Sequence, residues 1–122
     1  MARGDEARVV AAFAQYLEAA GWDVSLEEKF VDVVGRRGAE TIYAEAKGRT
    51  AAPGLDVHTL YGQLLTRMVA EPDPGMRFAV VLPSGLVKFA PRVPTRIRRH
   101  LDIDIYTVSD DGDVALVEDD RP

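Results

Sequence analysis

The sequence predicts one α/β domain built on a central mixed β-sheet with helices on both sides. Three observations support this prediction. Amphipathic helical segments alternate with short strand-like segments, the apolar run at residues 78–82 is typical of a strand buried on both faces, and 122 residues with 47% hydrophobic composition suffice for one core. The expected element order is α-β-β-β-α-β-α-β-β. We interpret residues 1–122 as a single domain with an acidic C-terminal tail at about 118–122.

The first half of the chain predicts a helix followed by three strands. Apolar residues at spacings of three and four predict a helix that Asp5 caps and Gly21 ends, and these apolar residues are Val10, Phe13 and Leu17. Strand-forming segments follow at residues 22–26, 30–34 and 41–47, with a turn over residues 35–38. This order indicates a β-meander packed against the first helix.

The second half predicts a second helix, a buried strand, a short basic helix and two final strands. We expect Asp56 to cap the second helix and Pro72 and Pro74 to stop it, and its buried stripe is Val57, Leu60, Tyr61, Leu64 and Met68. The later elements are predicted at residues 78–82, 94–101, 103–108 and 114–117, and the last of these is expected to be an edge strand.

Composition excludes several classes of site. The chain has no cysteine, which rules out disulfides, thiolate zinc sites, iron–sulfur clusters and cysteine nucleophiles. It has no GxxxxGK[ST] motif, so nucleotide-triphosphate binding has no support. It also has no apolar run of the roughly 20 residues that a membrane helix needs, so we expect a cytoplasmic protein with no membrane partner. The net charge of -5 arises in residues 110–122, which carry six acids and one base, whereas residues 1–109 carry 14 acids and 14 bases.

Two carboxylates and an amine share one face of the predicted meander. Glu45 and Lys47 point the same way because side chains alternate along a strand. The expected turn register places Asp32 opposite Tyr43 and diagonally beside Glu45, roughly 7–8 Å away at the backbone. Paired carboxylates with water and a phosphate oxygen suit Mg²⁺, and a nearby lysine stabilises charge developing on phosphorus. The set predicts phosphodiester hydrolysis by a metal-activated water, and the alternative is an ion pair at the end of a hairpin.

A family resemblance rests on the same residues. Asp32, twelve intervening residues and then Glu-Ala-Lys-Gly at 45–48, after one helix and before another, resemble the PD-(D/E)xK nuclease superfamily. The resemblance covers about residues 5–108 and implies a restriction-endonuclease-like fold. Val31 stands where the family's motif has its proline.

The resemblance also implies roles for four residues. Asp32 and Glu45 would bind Mg²⁺, for which Mn²⁺ can substitute. The carbonyl of Ala46 would be a third ligand. Lys47 would be the catalytic lysine.

Two further residues fit the resemblance to nucleases. Glu6 lies on the core-facing stripe of the first helix, where many members of the superfamily have an additional acid, and the alternative is an acid that only favours the helix dipole. Gln63, one turn before Arg67, resembles the glutamine of the second-helix motif that orients substrate or the attacking water. The alternative for Gln63 and Arg67 is a solvated helix face.

Basic residues predict contact with phosphates. Five bases fall within twelve residues, and three of them, Arg92, Arg96 and Arg99, are candidates for nucleic-acid binding. Arg49 and Arg67 add positive charge near the predicted site. The alternative is again a solvated surface.

These patterns predict a Mg²⁺-dependent nuclease, endonuclease or exonuclease, that acts on nucleic acid, with DNA as the expected substrate. One alternative is a catalytically inactive nuclease-fold module that binds nucleic acid or assembles a larger complex. Another is a protein-interaction domain with an accidental motif. We expect a homodimer or a partner protein, because one site cleaves one strand per encounter, and the predicted edge strand at 114–117 is a candidate interface.

Overall fold

A computed structural model of the chain describes residues 4–28, 31–49, 51–68 and 74–117. The elements in these segments are α1 (Gly4–Ala19), β1 (Asp23–Glu28), β2 (Val31–Arg37), β3 (Glu40–Ala46), α2 (Pro53–Thr66), β4 (Met76–Pro83), a 3₁₀ helix (Ser84–Arg92), α3 (Thr95–His100), β5 (Ile103–Val108) and β6 (Val114–Val117). The predicted order is confirmed, with the 3₁₀ helix as an addition. Sequence periodicity did not indicate this helix, which contains Gly85 and Pro91.

The strands form one mixed sheet in sequence order, β1-β2-β3-β4-β5-β6. β4 runs parallel to both β3 and β5, and the other neighbouring pairs are antiparallel. The residues of β4 from Phe78 to Leu82 are fully or almost fully buried, which confirms the predicted central strand. β6 lies at one edge of the sheet, as predicted.

Helices cover both faces of the sheet and define two cores. The α1 face includes Phe13, Leu17, Val33, Ile42, Ala44, Val81 and Tyr106. The opposite face packs against α2 and the 3₁₀ helix, and its core includes Leu60, Leu64, Phe78, Val80, Leu86 and Ile105. Side chains on alternate positions of β3 therefore belong to different cores, so parity decides which helix a residue of β3 meets.

The turn between β2 and β3 differs from the predicted one. Gly35 was expected in the turn, but it lies inside β2, where a Cβ would come within 2.9 Å of Ile42 and 3.3 Å of the Trp22 ring. The turn is the pair Gly38-Ala39, because Arg37 pairs with Glu40 and the φ of Gly38 is +59°. Close packing selects the glycine inside the strand, whereas a positive φ selects the glycine in the turn.

The two predicted helix caps are wrong. Asp5 lies in the first turn of α1, and its carboxylate accepts the backbone N–H of Arg49 at 2.6 Å. Asp56 lies in the first turn of α2, which begins at Pro53. Proline at the start of a helix and acids in its first turn both stabilise the helix. Each helix therefore begins before its acid, and the acid lies in the first turn instead of at the N-cap.

Two other predictions concern residues at the limits of the described chain. Pro72, expected to stop α2, and the acidic tail at 118–122 lie outside the described residues.

Strand β1 extends to Glu28 and β2 extends to Arg37, past the predicted ends at residues 26 and 34. In the described segments, no helix has the length and apolar character needed to cross a membrane.

Candidate functional site

The carboxylates of Asp32 and Glu45 lie directly opposite each other across β2 and β3. The neighbouring pair Val33 and Ala44 fixes this register, which differs by two residues from the predicted one with Tyr43 opposite Asp32. The expected shared face is correct because a shift of two residues preserves strand parity. Direct opposition brings two carboxylates closer than the predicted diagonal would.

The main-chain pairing of β2 and β3 opens at this point, and the two carboxylates bind the freed amides. The Ala46 N–H donates to Asp32 Oδ2 at 2.9 Å. The Asp32 N–H donates to Glu45 Oε2 at 3.4 Å. Each carboxylate therefore accepts a hydrogen bond from a backbone amide at the point where the pairing of the strands ends.

Glu45 is almost completely buried, with 2% of its surface exposed. Its pKa is raised from 4.5 to about 7, first by burial and then by the negative charge of Asp32 and a hydrogen bond with that carboxyl. The guanidinium of Arg67 acts in the opposite direction. A second positive charge at this position would relieve the same repulsion, which is the electrostatic condition for a cation site.

Arg67 joins the site from the far end of α2. It is the C-cap residue of that helix, and its Nε lies 3.1 Å from Glu45 Oε1. Its side chain is one quarter exposed, and Glu45 is buried beneath it. The structure thus places Arg67 in the carboxylate site, with about one quarter of its side chain at the surface.

Lys47 and Glu6 meet at the end of β3. The Lys47 Nζ lies 4.0 Å from Glu6 Oε1, and both side chains are about three quarters buried. Burial raises the pKa of Glu6, the charge of Asp32 raises it as well, and Lys47 lowers it. The first turn of α1 therefore adds an acid to the electrostatic environment of Asp32.

Gly48 permits this approach of α1. A Cβ at Gly48 would meet the backbone N of Glu6 and would lie 2.7 Å from the carbonyl carbon of Asp5. Only a residue without a side chain fits here. The glycine that ends the predicted motif thus allows the helix to reach the strand end.

Glu27 is an acid near the site that the sequence analysis missed. It lies between the paired positions Leu26–Val33 and Glu28–Val31, across from Asp32, and its charge raises the pKa of Glu6. Its φ of +55° is unusual for a residue with a side chain. The strand predicted from the sequence ended at residue 26, so Glu27 was not expected to lie beside β2.

The main chain of Ala46 faces β2. The Lys47 N–H donates to Val81 of β4, and the Ala46 N–H donates to Asp32 on the other side. Because the N–H and C=O of one strand residue face the same neighbour, the Ala46 carbonyl is also directed toward β2.

This donor set fits Mg²⁺. Among the described residues, no three His, Cys, Asp or Glu side chains gather as a metal cage. A cation between Asp32 and Glu45 would therefore take its other ligands from a carbonyl such as that of Ala46 and from water, which is how Mg²⁺ is usually held.

Gln63 is not brought into the site. Its side chain is exposed on α2, whose buried residues are Val57, Leu60, Tyr61 and Leu64. The described contacts include none between its amide and either carboxylate. At the neighbouring Gly62, a Cβ would have no described atom within 4 Å, so packing does not require a glycine there.

The predicted phosphate-binding arginines have different surroundings. Arg49 pairs with Asp110 at 2.7 Å, and Arg96 is exposed on α3. Arg92 lies 4.9 Å from the ring centre of Phe89. These arginines do not form one uniform basic surface.

Arg99 is exposed on α3, the short helix before β5. It lines a cavity of about 350 Å³ with Arg77, Asp102, Ile103, Asp104, Tyr106 and Leu116. Two of these lining residues are acids, which offset the two arginines. Another base of the same segment, Arg98, is buried, and its Nε donates to the Val93 carbonyl at 2.8 Å.

No family model and no curated protein matches this sequence. Two solved structures share its fold. An XisH family protein from Nostoc punctiforme PCC 73102 has a TM-score of 0.61 and 16% identity, covering 91% of this chain and 99% of that chain. A FdxN element excision controlling factor protein from Anabaena variabilis has a TM-score of 0.61 and 15% identity, covering 92% and 99%. The chain thus shares with both proteins an α/β fold.

Proposed function

We propose that this protein has the restriction-endonuclease-like fold of PD-(D/E)xK nucleases and hydrolyses phosphodiester bonds of nucleic acid, with DNA as the first substrate to test. One observation carries the proposal: Asp32 and Glu45 face each other, largely removed from water, at the point where β2 and β3 part. A buried carboxylate beside a second, half-buried one is costly unless a proton or a cation neutralises the pair. Lys47 and Glu6 adjoin this pair, which adds the groups that phosphate chemistry requires.

Asp32 and Glu45 would hold Mg²⁺, with the Ala46 carbonyl on the same side of β3. When bound, the ion polarises a phosphate oxygen and lowers the pKa of a water molecule. The two acids contribute by supplying negative charge from a rigid strand pair, since each is hydrogen-bonded to the backbone.

Lys47 would stabilise the negative charge that develops on the phosphate oxygens. Its ammonium lies 4.0 Å from Glu6 Oε1, and this ion pair limits the motion of the lysine side chain. Glu6 therefore acts as a positioning residue for Lys47 in this proposal. Gln63 is exposed, and its proposed part is limited to contact with the bound nucleic acid.

The test is incubation of the purified protein with single-stranded, duplex and branched DNA and with RNA, in Mg²⁺, Mn²⁺ or chelator. We expect cleavage that requires the divalent ion and is lost in Asp32→Asn. Glu18→Gln is the matched control, because it removes an exposed carboxylate on α1 outside the site. Cleavage by Asp32→Asn at the control's rate would reject the nuclease proposal.

A second candidate function is a catalytically inactive module of the same fold that binds DNA or assembles a complex. The observation that favours it is the likeness in fold to the FdxN element excision controlling factor protein from Anabaena variabilis. This candidate predicts DNA binding without cleavage of any of the substrates in any of the ions. The same incubation, combined with a gel-shift assay, therefore separates the two functions.

We also propose that the active unit contains a second copy of the chain or a partner protein. One Asp32/Glu45 pair hydrolyses one strand per encounter, so concerted cleavage of a duplex needs a second site. The exposed edge strand β6 offers unpaired backbone groups for such an interface. Light scattering and a plasmid-nicking assay test this, and a strict monomer that linearises plasmid without a nicked intermediate would contradict it.

A further inference from the structure

The Glu45–Arg67 ion pair occupies the site where the proposed cation would bind. Glu45 Oε1 accepts Arg67 Nε at 3.1 Å, and Glu45 Oε2 accepts the amide of Asp32. Both oxygens of this buried carboxylate thus already have a donor. Of these two donors, the Arg67 guanidinium is charged and belongs to a flexible side chain, whereas the Asp32 amide is neutral and part of β2.

A divalent cation and Arg67 would compete for the same carboxylate. Like charges a few ångströms apart repel strongly where water is partly excluded, and Glu45 has 2% of its surface exposed. The amide of Asp32 cannot withdraw without moving β2, whereas Arg67 is one quarter exposed at the end of α2. Binding of a cation would therefore weaken the bond to Arg67 first.

We propose that Arg67 neutralises Glu45 in the metal-free protein and transfers to a phosphate of the nucleic acid when a divalent cation binds. This inference rests on the proposed function, because it assumes a cation between Asp32 and Glu45. A planar guanidinium that leaves a carboxylate is matched in geometry by a phosphate, which also accepts two parallel hydrogen bonds. Metal binding and phosphate binding are thereby coupled through one side chain.

The first test is Mn²⁺ titration calorimetry without nucleic acid, on wild type, Arg67→Met and Arg67→Lys. Methionine retains an unbranched stem over Glu45 and removes the competing charge, so Arg67→Met should bind Mn²⁺ about tenfold more tightly. Arg67→Lys retains the charge and should bind within about threefold of wild type. All three proteins are titrated at the same pH, about pH 8 and without oxygen, because Mn²⁺ is oxidised and hydrolysed in more alkaline solution.

The possible results separate this inference from the proposed function. Unchanged or weaker Mn²⁺ binding by Arg67→Met would overturn the exchange of Arg67. Wild type that binds no Mn²⁺, or binds it equally well after Asp32→Asn, would overturn the metal site itself. Thermal melting of each variant identifies one that fails to fold, and Arg67→Gln, which also removes the charge, then takes the place of Arg67→Met in both tests.

The second test measures duplex DNA binding at constant ionic strength, in the Lys47→Ala background to prevent cleavage. With Arg67 present, Mn²⁺ should tighten DNA binding about tenfold, because the released guanidinium gains a phosphate. Arg67→Met should lose this gain, whereas Arg67→Lys should retain part of it. Arg96→Met, which removes an exposed arginine elsewhere, should weaken binding equally with and without Mn²⁺. A full Mn²⁺-dependent gain in Arg67→Met would overturn the proposal.

Discussion

Asp32 and Glu45 each accept a hydrogen bond from the backbone of the opposite side of their strand pair. The Ala46 amide donates to Asp32, and the Asp32 amide donates to Glu45. These bonds hold two carboxylates together in a place where their charges repel. The site therefore has an intrinsic preference for a proton or a cation, and both preferences are measurable.

Stability should fall as pH rises through neutrality in the metal-free protein. Glu45 has a pKa of about 7 when folded, above its ordinary value of 4.5, so the folded state binds its proton more tightly than the unfolded state. Its contribution is complete below about pH 4.5 and is lost as pH rises through about 7, by about 3 kcal/mol in the free energy of unfolding. Urea denaturation in chelator between about pH 5 and about pH 8 measures this loss.

Glu45→Gln is the control for this pH dependence. Glutamine has nearly the same shape and no charge, so the variant should lose less stability over the same pH range. Glu6 also has a raised pKa, which leaves a smaller loss of the same sign in Glu45→Gln. Identical pH profiles for the two proteins would show that Glu45 does not titrate near neutrality.

Mn²⁺ binding should strengthen with pH. Since Glu45 must lose its proton to bind a cation, affinity should rise about tenfold between about pH 6 and about pH 8. Titration calorimetry should show this rise in wild type and its loss in both Asp32→Ala and Glu45→Ala.

Lys47→Ala should bind Mn²⁺ at least as well as wild type, because it removes a positive charge, and should not cleave DNA. Full cleavage by Lys47→Ala would remove this lysine from the mechanism.

The sequence indicated the residues of this site but not their distances. Strand alternation was sufficient to place Asp32 and Glu45 on one face, because a register error of two residues preserves parity. The register itself was two residues wrong, because Gly35 in sequence looks the same as a turn glycine. Only its contacts with Ile42 and Trp22 show that it belongs inside a strand.

Residues that reach the site from other elements were harder to predict. Arg67 binds Glu45 only because α2 packs with its C-terminal end over β3, and no local pattern reports helix packing. Glu27 depends on a left-handed backbone conformation that its sequence does not require. Arg49 lies 2.7 Å from Asp110, sixty-one residues later, and no local pattern indicated this ion pair. Long-range contacts explain all three differences.

Two glycines should respond oppositely to alanine. Gly48→Ala places a Cβ against the backbone of Asp5 and Glu6, so the first turn of α1 must move, at a cost of about 2 kcal/mol or more. Gly62→Ala meets no described atom and should stabilise α2 by up to about 1 kcal/mol. Thermal or urea unfolding measures both effects.

The same variants separate the roles of these glycines in function. Gly48→Ala should also lose cleavage, since Glu6 and Lys47 would be displaced from each other. Gly62→Ala should retain Mn²⁺ binding, and a loss of DNA affinity in this stable variant would place nucleic acid against α2. Wild-type stability of Gly48→Ala would contradict the close approach of α1 to the end of β3.

The exposed arginines near α3 should report phosphate contact through salt dependence. If Arg92 and Arg96 each bind a phosphate, Arg92→Gln and Arg96→Gln should each reduce the log–log salt slope of duplex binding by about 0.9, for every DNA sequence alike. Arg99→Gln is the matched control from the same segment, because Arg99 shares its cavity with the acids Asp102 and Asp104. We therefore expect a smaller change in slope for Arg99→Gln, measured by fluorescence anisotropy in chelator. Unchanged slopes for Arg92→Gln and Arg96→Gln would assign both arginines to a solvated surface, and DNA binding would then depend on residues nearer the carboxylates.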